Sequence, residues 1–276
     1  MGILEKINHQ LSGQGPRKIV FLHGLIGSGN NWSRTVRLFD PTEFTVLTYD
    51  QRGHGRSFQP VSGYTAADYT SDLLELTDTL QWPTFDLVGH SMGGRVALEF
   101  ASLHPSKLRS LTIEDIGVAA SPSNTSRIES LINRVPTPFS DRKAAKAYFF
   151  GPFIESLNGA NDAKDLANFF YANLAEKQNP NDGSKFVDWR FYKQGIFDTL
   201  QDGRSKDRSI AWSEIAVPTL LIRGQSSKDL PESEYQRMLS LNPNCVGVEI
   251  KDSGHWVHFD QPQLFYEQLY SFLKSH

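Results

Sequence analysis

Apolar positions along the chain fall into two rhythms. Short, nearly continuous runs occupy 18–22 (KIVFL), 44–49 (FTVLTY), 85–88 (FDLV), 108–113 (LRSLTI), 219–223 (TLLIR) and 246–250 (VGVEI). Unbroken runs of this length suit strands covered on both faces, the habit of parallel sheets. Between them the period lengthens to that of a helix. Residues 67–80 place Leu73, Leu76 and Leu80 on one side, 93–103 carry Val96, Ala97, Phe100 and Ala101, and 264–273 carry Phe265, Leu269, Phe272 and Leu273. Strands alternating with helices predict an α/β fold on a mostly parallel sheet flanked by helices.

The alternation lapses over 118–213. No strand pattern stands out there, and aromatics crowd the stretch: Tyr148, Phe149, Phe150, Phe153, Phe169, Phe170, Tyr171, Trp189, Phe191 and Tyr192. A helical cap inserted between two sheet strands is expected, leaving 1–117 and 214–276 as the core. Turn-forming breaks at Asn158-Gly159 and Asn179-Pro180-Asn181-Asp182-Gly183 divide the insertion. An aromatic layer laid over strand ends would also line a pocket.

Composition narrows the classes. The 276 residues carry 28 Lys and Arg against 31 Asp and Glu, a net charge of −3, without the clustered cations of a nucleic-acid footprint. The lone Cys245 cannot form an internal disulfide and reads as a small buried apolar residue. The start, Met1-Gly2-Ile3-Leu4-Glu5-Lys6, lacks the apolar run of a signal peptide, and the apolar run around Ile19 to Ile26 is too short to span a bilayer. A cytoplasmic location with no membrane insertion is the expectation. Oligomeric state is not legible.

Candidate chemistry gathers at three places. The first is Gly89-His90-Ser91-Met92-Gly93, between an expected strand and an expected helix. In such a turn the serine is held in a strained backbone conformation with its hydroxyl above the sheet, and a Cβ at either flanking glycine would strike the neighbouring strand or helix. The alternative is a glycine-rich helix entry with Ser91 as an N-cap. The second is His23-Gly24-Leu25 at the end of an early strand. There the Leu25 amide can face the same space as Ser91 and, with the Met92 amide at the positive end of its helix, form a two-donor oxyanion hole. His23 itself is expected to brace the loop. The third is Asp252-Ser253-Gly254-His255-Trp256 after the last strand, where His255 can reach Ser91 as its base. His258 competes by residue type, while His54 and His90 read as scaffold groups. His255-x-x-His258 alone makes no metal site, and none is expected.

These segments, together with Asp50-Gln51-Arg52-Gly53-His54-Gly55-Arg56-Ser57, appear in an order that resembles the α/β-hydrolase fold family across essentially the whole chain. The serine at position 91 sets aside the branches whose nucleophile is aspartate. The acid departs from the pattern. Many members carry it three residues after the glycine closing the strand at 219–223, and here that residue is Ser227. Two carboxylates remain, Asp229 two residues later and Asp115, at an alternative acid position that some members use. Asp115 is favoured because Ile113-Glu114-Asp115-Ile116-Gly117 sets a charge among apolar residues at a strand's end, and because the stretch resembles small acyl-esterases of the YbfF type. Glu114 would face the other way on an extended strand.

The resemblance implies a serine hydrolase that cleaves short to medium carboxylic esters with Ser91, His255 and Asp115, using no metal or organic cofactor. Ser91-Met92-Gly93-Gly94-Arg95 also resembles the menaquinone-pathway lyase that makes 2-succinyl-6-hydroxy-2,4-cyclohexadiene-1-carboxylate, in which such an arginine helps bind an anionic substrate. Arg95 is expected instead on an exposed helix face, solvated or salt-bridged. A C–C bond hydrolase, a lactonase or a ligand receptor would share the motifs.

Overall fold

The computed structural model describes residues 2–119, 122–158 and 163–276. Among the described residues nine strands run in chain order: β1 His9–Ser12, β2 Arg17–Leu22, β3 Phe44–Tyr49, β4 Phe85–His90, β5 Leu108–Glu114, β6 Leu174–Gln178, β7 Lys185–Trp189, β8 Thr219–Gly224 and β9 Cys245–Ile250. Seven form one sheet in the order β1-β3-β2-β4-β5-β8-β9, parallel throughout except for β1, which pairs antiparallel with β3. The six apolar runs become β2 to β5, β8 and β9 with ends displaced by a residue or two. The short β1 (HQLS) has no apolar signature because it is a half-exposed edge.

Side-chain alternation along each strand builds two layers. In β2, Val20 and Leu22 join Leu73, Leu76, Val96 and Phe100 from the helices Ala66–Thr79 and Met92–Leu103. Ile19 and Phe21 point the other way, to Phe265, Leu269 and Phe272 of the helix Pro262–Ser275. These side chains are almost wholly buried, and each such burial stabilises by roughly 1.5–3 kcal/mol. Thr65 caps the first of these helices: its amide donates to the Asp68 carboxylate at 2.9 Å while its hydroxyl accepts the Asp68 amide at 3.4 Å. Cys245, at the start of edge strand β9, is only half-buried rather than enclosed.

Between β5 and β8 the chain forms helices at Pro122–Arg134, Arg142–Tyr148, Ala163–Ala172 and Lys193–Ser205, and it also forms a strand pair absent from the sequence expectation. β6 and β7 make an antiparallel hairpin across the Asn179–Gly183 break, with Leu174 paired to Trp189. Glu176, Lys177, Lys185 and Asp188 interrupt the apolar signal along both strands, yet Leu174, Val187 and Trp189 are buried. The expected break at Asn158-Gly159 runs into residues 159–162, outside the described residues. Most of the insertion's aromatics, including Phe149, Phe153, Phe170 and Trp189, pack into a core of its own. Ile26, from the loop after β2, is buried in that same core.

Strand order reverses around β2, with β3 on one side and β4 on the other. The crevice beyond the carboxyl ends of such strands is where open α/β sheets bind ligands. No helix among the described residues is long and apolar enough to cross a membrane.

Candidate active site

Ser91 is the hinge between β4 and its helix. Its backbone lies at φ 53°, ψ −116°, a region that non-glycine residues avoid. The glycines on either side are steric requirements. A Cβ on Gly89 would lie 2.3 Å from the Gly93 carbonyl oxygen, and one on Gly93 would lie 2.5 Å from that of Leu22. The Ser91 amide donates to the Glu114 carbonyl at 3.0 Å, so the turn is tied to the neighbouring strand. Its side chain makes no helix-capping bond, which removes the N-cap alternative.

The hydroxyl is instead committed to His255, whose Nε2 lies 2.9 Å from Ser91 Oγ. His255 Nδ1 lies 2.8 Å from Asp115 Oδ2. A carboxylate can only accept, so Nδ1 carries the proton and Nε2 is left to accept from serine. Asp115 is fully buried, while the His255 side chain keeps 19 % of its surface exposed. Burial works against the imidazolium, but the Asp115 hydrogen bond and the charges of Asp229, Asp115 and Glu114 outweigh it and raise the His255 pKa. Asp115 is pushed upward by burial, against the pull of His255, Ser227 and Gly224.

Asp115 sits just past β5 with φ at 53°. Its Oδ1 accepts the Gly224 amide at 2.9 Å, and its Oδ2 also accepts the Ser227 hydroxyl. Ser227, standing where the family acid is commonly found, therefore serves as a donor that holds the acid arriving from β5. Asp229 also comes near, its Oδ2 3.7 Å from His255 Nδ1, but its other oxygen accepts from Arg204 Nη2 at 3.3 Å.

The loop after β2 runs beside the serine: a Cβ on Gly24 would stand 3.3 Å from Ser91 Cβ. Leu25 follows in that loop, and Met92 is the first residue of the helix after Ser91. Among the described residues, no turn or loop carbonyl accepts either amide. His23 braces the loop, accepting the Gln51 amide on Nε2 at 3.0 Å while its own carbonyl accepts from the Gln51 side chain at 2.8 Å. His54 is buried against His23 and its pKa is pushed down to about 3, first by burial and then by that neighbour. His258 turns away from Ser91 and donates Nδ1–H to Glu114 at 2.9 Å.

Arg95 departs from expectation. It is buried rather than solvated, because the insertion folds over its helix face and the Gly203 carbonyl accepts its guanidinium. Burial, then the neighbouring Arg204 and Arg208 charges, bring its pKa down to about 9. Phe169 of the insertion packs on Trp256, ring centroids 5.2 Å apart, and Trp256 lies 5.7 Å from the His255 ring. Leu25 contacts both this layer and the core below.

The sn-1-specific diacylglycerol lipase ABHD11 of Danio rerio is 31 % identical over 265 residues, covering 93 % of this chain and 78 % of the lipase. The 2-(acetamidomethylene)succinate hydrolase of Mesorhizobium japonicum is 28 % identical over 270 residues, covering 98 % and 92 %. Among solved structures, a marine microorganism esterase superposes with a TM-score of 0.79 at 26 % identity, covering 97 % of this chain and 99 % of the esterase. The family profile of the alpha/beta hydrolase fold matches residues 18–262, and with nearly the whole chain inside that match, the protein belongs to the alpha/beta hydrolase family.

Proposed function

We propose that this protein is a serine hydrolase that cleaves carboxylic esters of short to medium acyl chains through an acyl-enzyme on Ser91. The observation that carries the reading is the unbroken relay from Ser91 Oγ to His255 Nε2 at 2.9 Å and from Nδ1 to Asp115 at 2.8 Å, on a turn strained to present the hydroxyl. His255 takes the Ser91 proton as Oγ attacks the ester carbonyl. The amides of Leu25 and Met92 receive the resulting oxyanion. The C–O bond to the alcohol then breaks, and the alcohol leaves with the proton from His255. Water repeats the sequence: His255 takes its proton, its oxygen attacks the acyl carbon, and the free acid leaves as Oγ recovers the proton. Asp115 fixes the tautomer and stabilises the imidazolium without taking a proton.

The acyl preference follows from the cap, proposed to span 118–213. Phe169, Trp256 and Leu25 supply an apolar wall beside His255, suited to a modest acyl group. The names of the relatives, an esterase, a lipase and an amide-bearing succinate hydrolase, are compatible with acyl transfer on this site. Arg95 donates to the Gly203 carbonyl through Nη1 and keeps further N–H donors, so ester turnover, and not this contact, separates the hydrolase reading from the lyase reading.

The test pairs p-nitrophenyl esters from acetate to palmitate with fluorophosphonate labelling. Turnover should peak at the short or medium esters, and Ser91→Ala should abolish labelling and lower kcat by about 10⁶-fold. Normal turnover by Ser91→Ala would overturn the mechanism, and a maximum at palmitate would overturn the acyl preference.

A further inference from the structure

Two consecutive pairs of residues close the strands that meet at the site, and only one member of each pair belongs to the relay. β4 ends on His90 and is followed by Ser91; β5 ends on Glu114 and is followed by Asp115. The other two side chains reach the segment that carries His255. His90 Nε2 donates to the backbone carbonyl of His255 at 2.8 Å. Glu114 accepts both the amide and the Nδ1–H of His258, each at 2.9 Å. Trp32 lies against the far side of the His258 ring, centroids 4.2 Å apart.

We propose that His90, with the Glu114–His258 pair, is a positioning clamp that sets the His255 imidazole against Ser91. The inference rests on reading Ser91 and His255 as nucleophile and base. Its logic is one of shared reference points. The strand that delivers the Ser91 hydroxyl also grips the main chain of His255, so a shift of that strand carries both partners of the proton transfer together. The strand that delivers Asp115 likewise grips the chain three residues further on. Without these bonds the segment 251–257 would be held to the sheet through fewer contacts, among them the Ser226 amide on the Ser253 carbonyl at 2.9 Å and the relay itself. A displacement of about 1 Å in a reacting group is enough to cost on the order of 10²-fold in rate.

The hydrogen-bond roles are fixed by the acceptors. A carbonyl requires His90 to carry its proton on Nε2, and burial keeps the ring neutral by driving its pKa well below the ordinary histidine value, with the neighbouring His255 and His258 rings adding to that. A carboxylate requires His258 to be protonated on Nδ1. One ligand atom each from His90, Glu114 and His258 also lies within 4.8 Å of the others, so a metal ion is the rival reading of the same group. His258 Nδ1 lies 2.9 Å from each Glu114 oxygen and His90 Nε2 lies 2.8 Å from the His255 carbonyl, direct hydrogen-bond spacings that give every one of these groups a partner and favour the clamp.

The experiment compares His90→Gln with His90→Asn, two polar replacements of similar cost to folding. Glutamine can carry an N–H to the place of Nε2, whereas asparagine ends near the place of Nδ1 and falls short of the His255 carbonyl. The readouts are the second-order rate of fluorophosphonate labelling at Ser91, kcat and KM on a p-nitrophenyl ester, and the low-field Nδ1 proton resonance of His255. His90→Asn should slow labelling and kcat by about 10²-fold with KM within about twofold, and broaden the resonance. His90→Gln should recover to within about tenfold of the unmodified protein. Equal labelling rates in all three proteins would overturn the clamp and leave the hydrolase reading intact. Absence of labelling in the unmodified protein would overturn both. A rise in melting temperature with added Zn²⁺ that Glu114→Gln abolishes would overturn the clamp in favour of a metal centre.

Discussion

Asparagine at position 115 separates the two carboxylates that approach His255. The Asp115 oxygens hold three donors: the Gly224 amide at 2.9 Å, His255 Nδ1–H at 2.8 Å and the Ser227 hydroxyl. An amide has one oxygen to offer. If it keeps that oxygen on Gly224, its NH₂ group faces His255 Nδ1. The imidazole can accommodate that donor only by moving its own proton to Nε2, where it points at Ser91 and cannot accept the serine proton. Asp115→Asn should therefore lower kcat by about 10⁴-fold, roughly 5.5 kcal/mol of barrier, with little change in fold. Asp229→Asn removes a charge 3.7 Å from Nδ1 that Arg204 already opposes from 3.3 Å, on a side chain 27 % exposed. Its loss should stay within about fivefold, the scale of an exposed ion pair. The assay is kcat on one p-nitrophenyl ester alongside the rate of fluorophosphonate labelling. A loss of 10³-fold or more in Asp229→Asn, with Asp115→Asn close to unmodified activity, would refute the assignment.

Because burial is outweighed by the Asp115 hydrogen bond and the surrounding carboxylates, His255 holds its proton to higher pH than ordinary histidine. The base must be neutral, so the rising limb of kcat/KM against pH should centre above about 6.5. Asp229→Asn should move that limb to lower pH, since removing a negative charge weakens the imidazolium; a limb that moved upward would contradict the electrostatics. Gly89→Ala forces a Cβ to within 2.3 Å of the Gly93 carbonyl oxygen, so its melting temperature should fall along with Ser91 labelling, at a cost of several kcal/mol. A variant that melts normally would show that the turn has room. Ser227→Ala removes a donor to a buried carboxylate, an interaction of roughly 1.5–3 kcal/mol. It should lower kcat about tenfold without altering acyl preference on an ester panel.

The parts legible in the sequence are those where sterics or burial leave one residue type. Gly89 and Gly93 announce the turn because no larger residue fits between the Gly93 and Leu22 carbonyls. Five of the six apolar strands show themselves because both faces of the sheet are covered there, whereas β9 is a half-exposed edge. The β6–β7 hairpin is hidden in the sequence because four of its ten positions carry charge and break the apolar pattern. Arg95 was expected on an exposed face because its burial depends on the insertion folding over it, a long-range event that helical spacing does not encode. Ser227 cannot orient an imidazole by charge, and its place where the family acid commonly stands is the sequence signal for the supporting bond that it makes to Asp115. His90 gave no such sign, since its acceptor is a backbone carbonyl 165 residues away.

The location of the acid shows how the fold tolerates this exchange. β5 and β8 are parallel neighbours, with Ile113 level with Leu221 and Glu114 level with Ile222, so their carboxyl ends open onto the same space. A carboxylate can therefore meet His255 from either strand, provided that the other strand supplies donors. Here β8 supplies the Gly224 amide and the loop after it supplies Ser227, while β5 supplies the charge. The arrangement costs backbone strain: Ile26, Ser91, Asp115 and Asp252 all have positive φ, and they follow β2, β4, β5 and β9. Such strain persists only where the surroundings over-determine it, and the parallel ladders with buried layers on both faces do so here. The insertion has a core of its own and reaches the site through Phe169 and the helix bearing Gly203 and Arg204. On the proposed function, then, changes at Phe169 should alter which acyl group is taken while leaving the labelling rate of Ser91 nearly unchanged, measured on an ester panel and by fluorophosphonate.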